Sequence, residues 1–316
     1  MGHYRHIRKV RPKHPMKKSS QVKKSSQEFL LDQFSILDIR KWQVIRDEVL
    51  KFHWDYYNDL AYQRSKIADQ IKNALLEAAE RNFLFEHWQR SVKYKYALEP
   101  FSISGSLTDP GGRFNIGDIN PSQFPPFPAL YIASDKATAL QELLSQQIIA
   151  GQETRAFDFA LTNPTSIANI SISGNLDSII NLKKPKKLQP FVDLIKDFTT
   201  PDHLKETAKK ISFPPPDLIR TVPKLMDALL VPNWREWPMQ FDVPVASQIF
   251  GQLVSEAGIE GILYASKFTG KDCLAIFPQN FDEPSGSFIQ LDDEAPAEIK
   301  TRRLDAKIWS ELQKSE

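Results

Sequence analysis

Between Met16 and Pro100 the chain contains neither glycine nor proline. A stretch of that length without a helix breaker or turn former has to run as long regular elements, which constrains the fold more than any motif. Apolar residues inside it recur at helical spacing: Ile45, Val49, Phe52 and Tyr56, then Leu60, Ile67, Ile71 and Leu75, followed by Ala78 and Ala79. The pattern predicts helix from Phe29 to about Trp88. Two or three helices would then form a small all-α region over residues 27–97. Trp42, Trp54, Trp88, Tyr56 and Tyr57 read there as packing residues and not as a ligand cage.

Ahead of that region, residues 1–26 are polar, Ser-rich and basic. Nine bases precede the first acid, Glu28; removing them from the 41 Lys and Arg leaves 32 against 39 acids, so the body sits near −7. The leader reads as disordered and solvated. The alternative is contact with nucleic acid or anionic lipid through counterion release. His3, His6 and His14 in it are irregularly spaced and lack acidic companions, which argues against a metal site.

At 41% hydrophobic and 25% charged, the composition is that of a globular protein and excludes a disordered chain, a collagen-like fibre or a coiled-coil rod. No apolar run approaches the ~18–20 residues of a membrane span. The single cysteine, Cys273, can form no internal disulfide and reads as a buried, inert thiol in an apolar strand. The N-terminus has no signal-peptide core, so the expected location is cytoplasmic.

Past Pro100 the texture changes, with Gly, Pro and Ser breaking the chain into short runs. Leu130-Tyr131-Ile132 reads as a strand feeding a helix from Ala137 to Ile149 that starts at Ser134-Asp135, and Ala156–Leu161 reads as another strand. Residues 163–232 read as loops and short helices laid over the sheet, with a basic run from Lys183 to Lys187 and a helix near Phe191–Phe198. Val245–Ala257 reads as a helix stopped by Gly258. Two strands follow, Gly261–Tyr264 and Cys273–Phe277, joined around Thr269-Gly270. Residues after Pro278 read as an acidic wrapping arm.

Several chemistries are then excluded. Beyond Pro100 the only histidine is His203, so a Ser-His-Asp or Cys-His base and a His-ligated metal both lack their parts. Neither a Gly-x-Gly-x-x-Gly nor a Gly-x-x-x-x-Gly-Lys motif is present. What remains is Arg, Glu, Ser and Tyr, a set suited to a substrate that already carries a good leaving group. Arg113 in Asp109-Pro110-Gly111-Gly112-Arg113-Phe114-Asn115 can grip phosphate or carboxylate. Ser266 and Lys267 follow the strand ending at Tyr264.

Gly112-Arg113-Phe114-Asn115, Leu130-Tyr131-Ile132-Ala133-Ser134, Ala139-Leu140-Gln141-Glu142, and Gly258 to Ser266 closed by Cys273–Phe277 occur in an order that resembles the RES domain family, named for its Arg, Glu and Ser. Trp234-Arg235-Glu236-Trp237 and Gln248 extend the resemblance, which covers roughly Phe101 to Pro278. The family's opening strand with its early Arg is not recognisable here, and residues 29–95 lie outside the match.

The resemblance implies an α+β fold like the diphtheria-toxin type of ADP-ribosyltransferase, a mixed split β-sheet with surrounding helices, here preceded by the all-α region. It places a catalytic domain with a C-terminal arm at residues 98–316. It implies an NAD+-degrading enzyme that cleaves the nicotinamide–ribose bond by phosphorolysis or hydrolysis, a bacterial toxin or defence effector. NAD+ enters as substrate and phosphate as a co-substrate, with no resident cofactor and no metal. Arg113, Glu142 and Ser266 carry over as catalytic residues, with Tyr131, Asn115 and Lys267 as substrate-binding neighbours. On physical grounds Glu142 stabilises the ribose cation, Arg113 holds the diphosphate or an incoming phosphate, Tyr131 stacks on nicotinamide and Ser266 orients the ribose; Asn115 fixes the Arg113 loop, and Lys267 faces phosphate or solvent. Implied partners are NAD+ and an antitoxin or regulatory protein; a homo-oligomer stays open. The alternatives are ADP-ribosyl transfer to a macromolecule, or a non-catalytic nucleic-acid-associated module using the basic tail.

Overall fold

The computed structural model describes residues 36–144, 167–212, 217–292 and 295–313. These fall into two compact units, one within Met1–Gln63 and Phe198–Leu218, the other within Arg64–Asp197 and Ile219–Glu316. No helix among the described residues is long and apolar enough to cross a membrane.

In the first unit, helix α1 (Ile36–Ser65) buries Phe52 and Tyr56, one turn apart, against Leu204 and Ala208, which are likewise one turn apart on a later helix, Asp202–Lys210. Ile45, expected on the same inward stripe, is exposed. The amide of Gln63 closes the unit by donating to the Thr199 carbonyl (2.8 Å) and accepting from the Thr199 N–H (3.0 Å). His53 is buried in this core, its ring 5.4 Å from that of Phe52.

The second unit opens with helix α2 (Ala68–Ala78) and strand β1 (Glu80–Lys93). That strand corrects the expectation of helix to Trp88. Asn82 and His87 adopt positive φ (56° and 57°), and the pairing slips between Phe85 and Trp88. Phe85 and Trp88 are thus three apart through a bulge and not through a helical turn. The remaining strands are β2 (Gly111–Gly112), β3 (Asn115–Ile116), β4 (Leu130–Ala133), β5 (Ile167–Asn181), β6 (Gly261–Ala265), β7 (Asp272–Ile276), β8 (Phe288–Leu291) and β9 (Arg303–Asp305). Strand β5, fifteen residues long, lies where only loops and short helices were expected. The expected strand Ala156–Leu161 lies outside the described residues, as does the leader 1–26.

The main sheet runs β1-β4-β7-β6-β5-β8-β9, and β1 also pairs with β5, so its first five strands close on themselves. Its described pairs are antiparallel except β5–β6, which is parallel, and the sheet is therefore mixed. The expected C-terminal arm supplies the edge strands β8 and β9 and a helix, Ala306–Gln313, whose Trp309 enters the core. The α+β architecture with a helical region ahead of it is as expected. The basic run folds back onto acids: Lys183 pairs with Asp272 at 2.8 Å, and Lys184 and Lys187 with Glu80 at 2.9 and 3.3 Å.

Strand alternation decides which side holds the core. Leu130 and Ile132 on β4, Leu263 on β6, and Leu274 and Ile276 on β7 turn into one cluster with Phe85, Ile172 and Leu176. The intervening Tyr131, Ala133, Tyr264 and Cys273 take the opposite face.

Burial lowers the His53 imidazole from its ordinary 6.5 to about 4. The unfolded chain then binds the extra proton between those values, so stability is full above pH 6.5 and falls as pH drops towards about 4. The loss should be on the order of 3 kcal/mol. His53→Leu should flatten that dependence in denaturant unfolding at pH 7 and 4.5, and an equal acid sensitivity in the variant would contradict it.

Candidate active site

Residues 111–116 form a tight hairpin in which Gly111 pairs with Ile116 and Gly112 with Asn115, leaving Arg113 and Phe114 at its tip. The fully buried Asn115 explains its shape. Its Oδ1 accepts from the Gly112 N–H (2.9 Å) and the Tyr131 hydroxyl (2.9 Å), while its Nδ2 donates to the carbonyls of Ser106 (2.7 Å) and Phe127 (2.9 Å). The Phe114 N–H donates in turn to the Tyr131 hydroxyl at 3.0 Å. From the other side comes helix α9 (Ala246–Glu256, counting Gln189–Ile195 as α5, Asp202–Lys210 as α6, Val222–Leu229 as α7 and Glu236–Phe241 as α8). Its Gln248, fully buried, donates through Nε2 to the carbonyls of Pro110 (2.7 Å), Gly112 (3.2 Å) and Asn115 (3.1 Å). Gly251, one turn on, lies against the hairpin so closely that a Cβ there would strike the Phe114 backbone.

Arg113 is buried, 5% exposed as a residue. It donates to the carbonyls of Val231 (2.8 Å) and Leu229 (3.5 Å), at the carboxyl end of α7, where the helix dipole favours a cation. Trp234 lies nearby, its ring centroid 5.9 Å from Arg113 and 4.4 Å from the neighbouring Arg235. Burial, and after it the repulsion of Arg113, lowers Arg235 to about 10.

Glu142 sits on the helix Lys136–Leu144 (α4, with Ser104–Leu107 as α3). Asp135 starts this helix by accepting from the Thr138 N–H (2.9 Å), which holds the Asp135 carboxyl below its usual range. Thr138 and Glu142 are four residues apart and therefore share a face. Both meet the β6–β7 turn: the hydroxyls of Thr138 and Thr269 are 2.9 Å apart, and the Ser266 hydroxyl donates to Glu142 Oε1 at 2.6 Å. Ser266 also accepts from the N–H of Phe268 (3.2 Å), so the turn orients its lone proton towards the carboxylate.

These parts converge. A cavity of about 280 Å³ is lined by Arg113, Glu142, Tyr131, Tyr264, Arg235 and Arg90, among others. Burial raises the Tyr131 and Tyr264 hydroxyls and the Cys273 thiol, and the Glu142 charge acts in the same direction on each. All three are neutral at physiological pH. Of the residues singled out from the sequence, Arg113, Glu142 and Tyr131 share this wall. Ser266 lies behind it, bonded to Glu142. Asn115 is buried inside the hairpin with its polar atoms committed, and Lys267 is exposed on the turn away from the cavity lining.

A model of the RES domain matches residues 87–298. The chain belongs to the RES domain family. The match opens within β1, so part of the segment read as lying outside the resemblance belongs to the RES domain. No curated protein matches the chain. The solved structures include the MbcT–MbcA toxin–antitoxin complex of M. tuberculosis, similar at 14% identity over 78% of this chain and 97% of that chain, with a TM-score of 0.41, a likeness that carries no argument here.

Sequence reasoning gave no role to two arginines that line the cavity. Arg90, on β1, spends its donors on the carbonyls of Pro100 (2.9 Å), Tyr131 (3.1 Å) and Ser102 (2.8 Å), and burial lowers it to about 10. It was hidden by the helical reading of its strand. Arg235 was visible beside Trp234, where a guanidinium next to an indole is a recurrent pairing.

Replacing Gln248 by Leu keeps the volume but removes the amide that donates to the carbonyls of Pro110, Gly112 and Asn115. The variant should lose about 2–4 kcal/mol in denaturant unfolding. A loss below ~0.5 kcal/mol would mean that the hairpin is held otherwise.

Proposed function

We propose that this RES domain protein degrades NAD+ by breaking the bond between nicotinamide and ribose. One observation carries the reading: two guanidiniums, Arg113 and Arg235, line the same cavity as Glu142, the one carboxylate of that lining among the described residues. That is the charge pattern needed by a diphosphate joined to a ribose that becomes cationic. As the C1′–N bond breaks, its electron pair goes to the ring nitrogen and nicotinamide leaves neutral, so the leaving group requires no acid. An oxygen of water or of phosphate then bonds to C1′; from water, one proton passes to solvent.

Glu142 stabilises the developing ribose charge. The two arginines hold the diphosphate, and a desolvated guanidinium pair does so with fixed geometry. The Tyr131 hydroxyl is committed to the hairpin, which leaves its ring to pack against nicotinamide. Ser266 donates to Glu142 and acts through it as a positioning residue. In this reading the protein is a toxin or defence effector restrained by an antitoxin or other regulatory protein.

The purified protein incubated with NAD+ should release nicotinamide, giving ADP-ribose without phosphate and its 1-phosphate where phosphate is the acceptor. Arg113→Ala and Glu142→Ala, still folded, should lower turnover by ~10²–10³-fold. Ser266→Ala should lower kcat by about tenfold with KM little changed, and Ser266→Thr should restore part of it. NAD+ that survives every condition rejects the proposal. A labelled ADP-ribose adduct on a macromolecule would replace it with transfer.

A further inference from the structure

The cavity has more cationic lining than NAD+ requires. Besides Arg113 and Arg235, its wall includes Arg90, Lys93 and Lys95, against Glu142 as the one acidic side chain of the lining among the described residues. Arg90 is committed to backbone carbonyls, as described. Lys93 and Lys95 are different: they close β1 and begin the turn Tyr94–Tyr96, both are exposed, and no carboxylate among the described residues pairs with either. What sets these two lysines apart from the other exposed lysines of this unit is their place in the cavity lining.

Resting on the proposed function, we infer that Lys93 and Lys95 recognise a phosphate monoester on the adenosine ribose of the substrate, so that the cavity accepts NADP+ in preference to NAD+. The two phosphates of NAD+ are taken by the arginines. A 2′-phosphate brings ≈ −1.5 to −2 further charge at pH 7 and three acceptor oxygens, which suits two ammonium groups two residues apart. The Tyr96 ring lines the same end of the cavity with Lys95 Nζ 4.6 Å from its centroid. The ring face that the Lys95 ammonium does not cover is where adenine would stack. The bond broken is the same C1′–N bond, and the 2′-phosphate stays on the product.

The test compares NAD+ and NADP+ at one salt concentration, in the wild type and in the Lys93→Gln/Lys95→Gln double variant of the full chain. Wild type should cleave NADP+ with a higher kcat/KM than NAD+. The double variant should lower the NADP+ to NAD+ ratio by roughly tenfold, as should raising the salt, because both charges are exposed to screening. NAD+ cleavage with NADP+ untouched, or a ratio unchanged in the variant, overturns this inference and leaves the proposed function standing. Calorimetric titration with ADP-ribose and its 2′-phosphate reads the same preference without chemistry: the phosphorylated ligand should bind more tightly, and only while the lysines are present. Equal affinities, or single-stranded DNA binding lost in the double variant with no change in either nucleotide, would overturn it and put the lysines on a nucleic-acid backbone.

Discussion

Three backbone carbonyls of the hairpin that presents Arg113 take their hydrogen bonds from one buried amide, Gln248. A hairpin only two paired residues long makes few cross-strand bonds of its own, and the Gln248 amide that supplements them is fully buried. Helix α9 therefore sets the position of the hairpin, and the close approach at Gly251 leaves no slack between them. On the opposite side Asn115 and the Tyr131 hydroxyl tie the hairpin to β4. The hairpin beneath Arg113 is thus fixed by groups other than its guanidinium, which bonds to the end of α7 and belongs to the cavity lining.

The second fixed point is the pair of contacts between α4 and the β6–β7 turn. Thr138 and Glu142 share a helix face, so a single docking of helix on turn places the carboxylate. The sheet supplies the rest by alternation, with aliphatic residues in the core and Tyr131, Tyr264 and Cys273 on the cavity side. Burial keeps those three neutral, so among the described residues the charge in the cavity lining comes from arginines, two lysines and one carboxylate. An excess of buried positive charge is costly without an anion. That cost supports the proposed reading of an anionic dinucleotide as ligand.

Much of this was legible in the sequence, for local reasons. Strands β4, β6 and β7 and helix α9 are short apolar runs with clear punctuation, and the ordered Arg113, Glu142 and Ser266 came from the family resemblance. Strand β1 was not legible because Asn82 and His87 supply the left-handed backbone that glycine usually signals, and because its bulge spaces Phe85 and Trp88 like a helix. Strand β5 carried a signal that went unused, the alternation Ile170, Ile172, Leu176, interrupted at Gly174, where Phe85 and the Phe288 backbone close in. The role of Ser266 behind Glu142, and not in the cavity wall, depends on which way one hydroxyl points; spacing along the chain carries no such information. Arg235 depends likewise on the packing of Trp234.

Binding and chemistry should separate if the arginines hold the ligand and Glu142 acts on the ribose. The direct measurement is calorimetric titration of ADP-ribose into Arg113→Ala, Arg235→Ala and Glu142→Gln, each checked for fold, alongside nicotinamide release from NAD+. The account predicts that both arginine variants lose affinity by at least about tenfold, whereas Glu142→Gln binds ADP-ribose and releases no nicotinamide. Undiminished affinity in the arginine variants, or full turnover in Glu142→Gln, would contradict it.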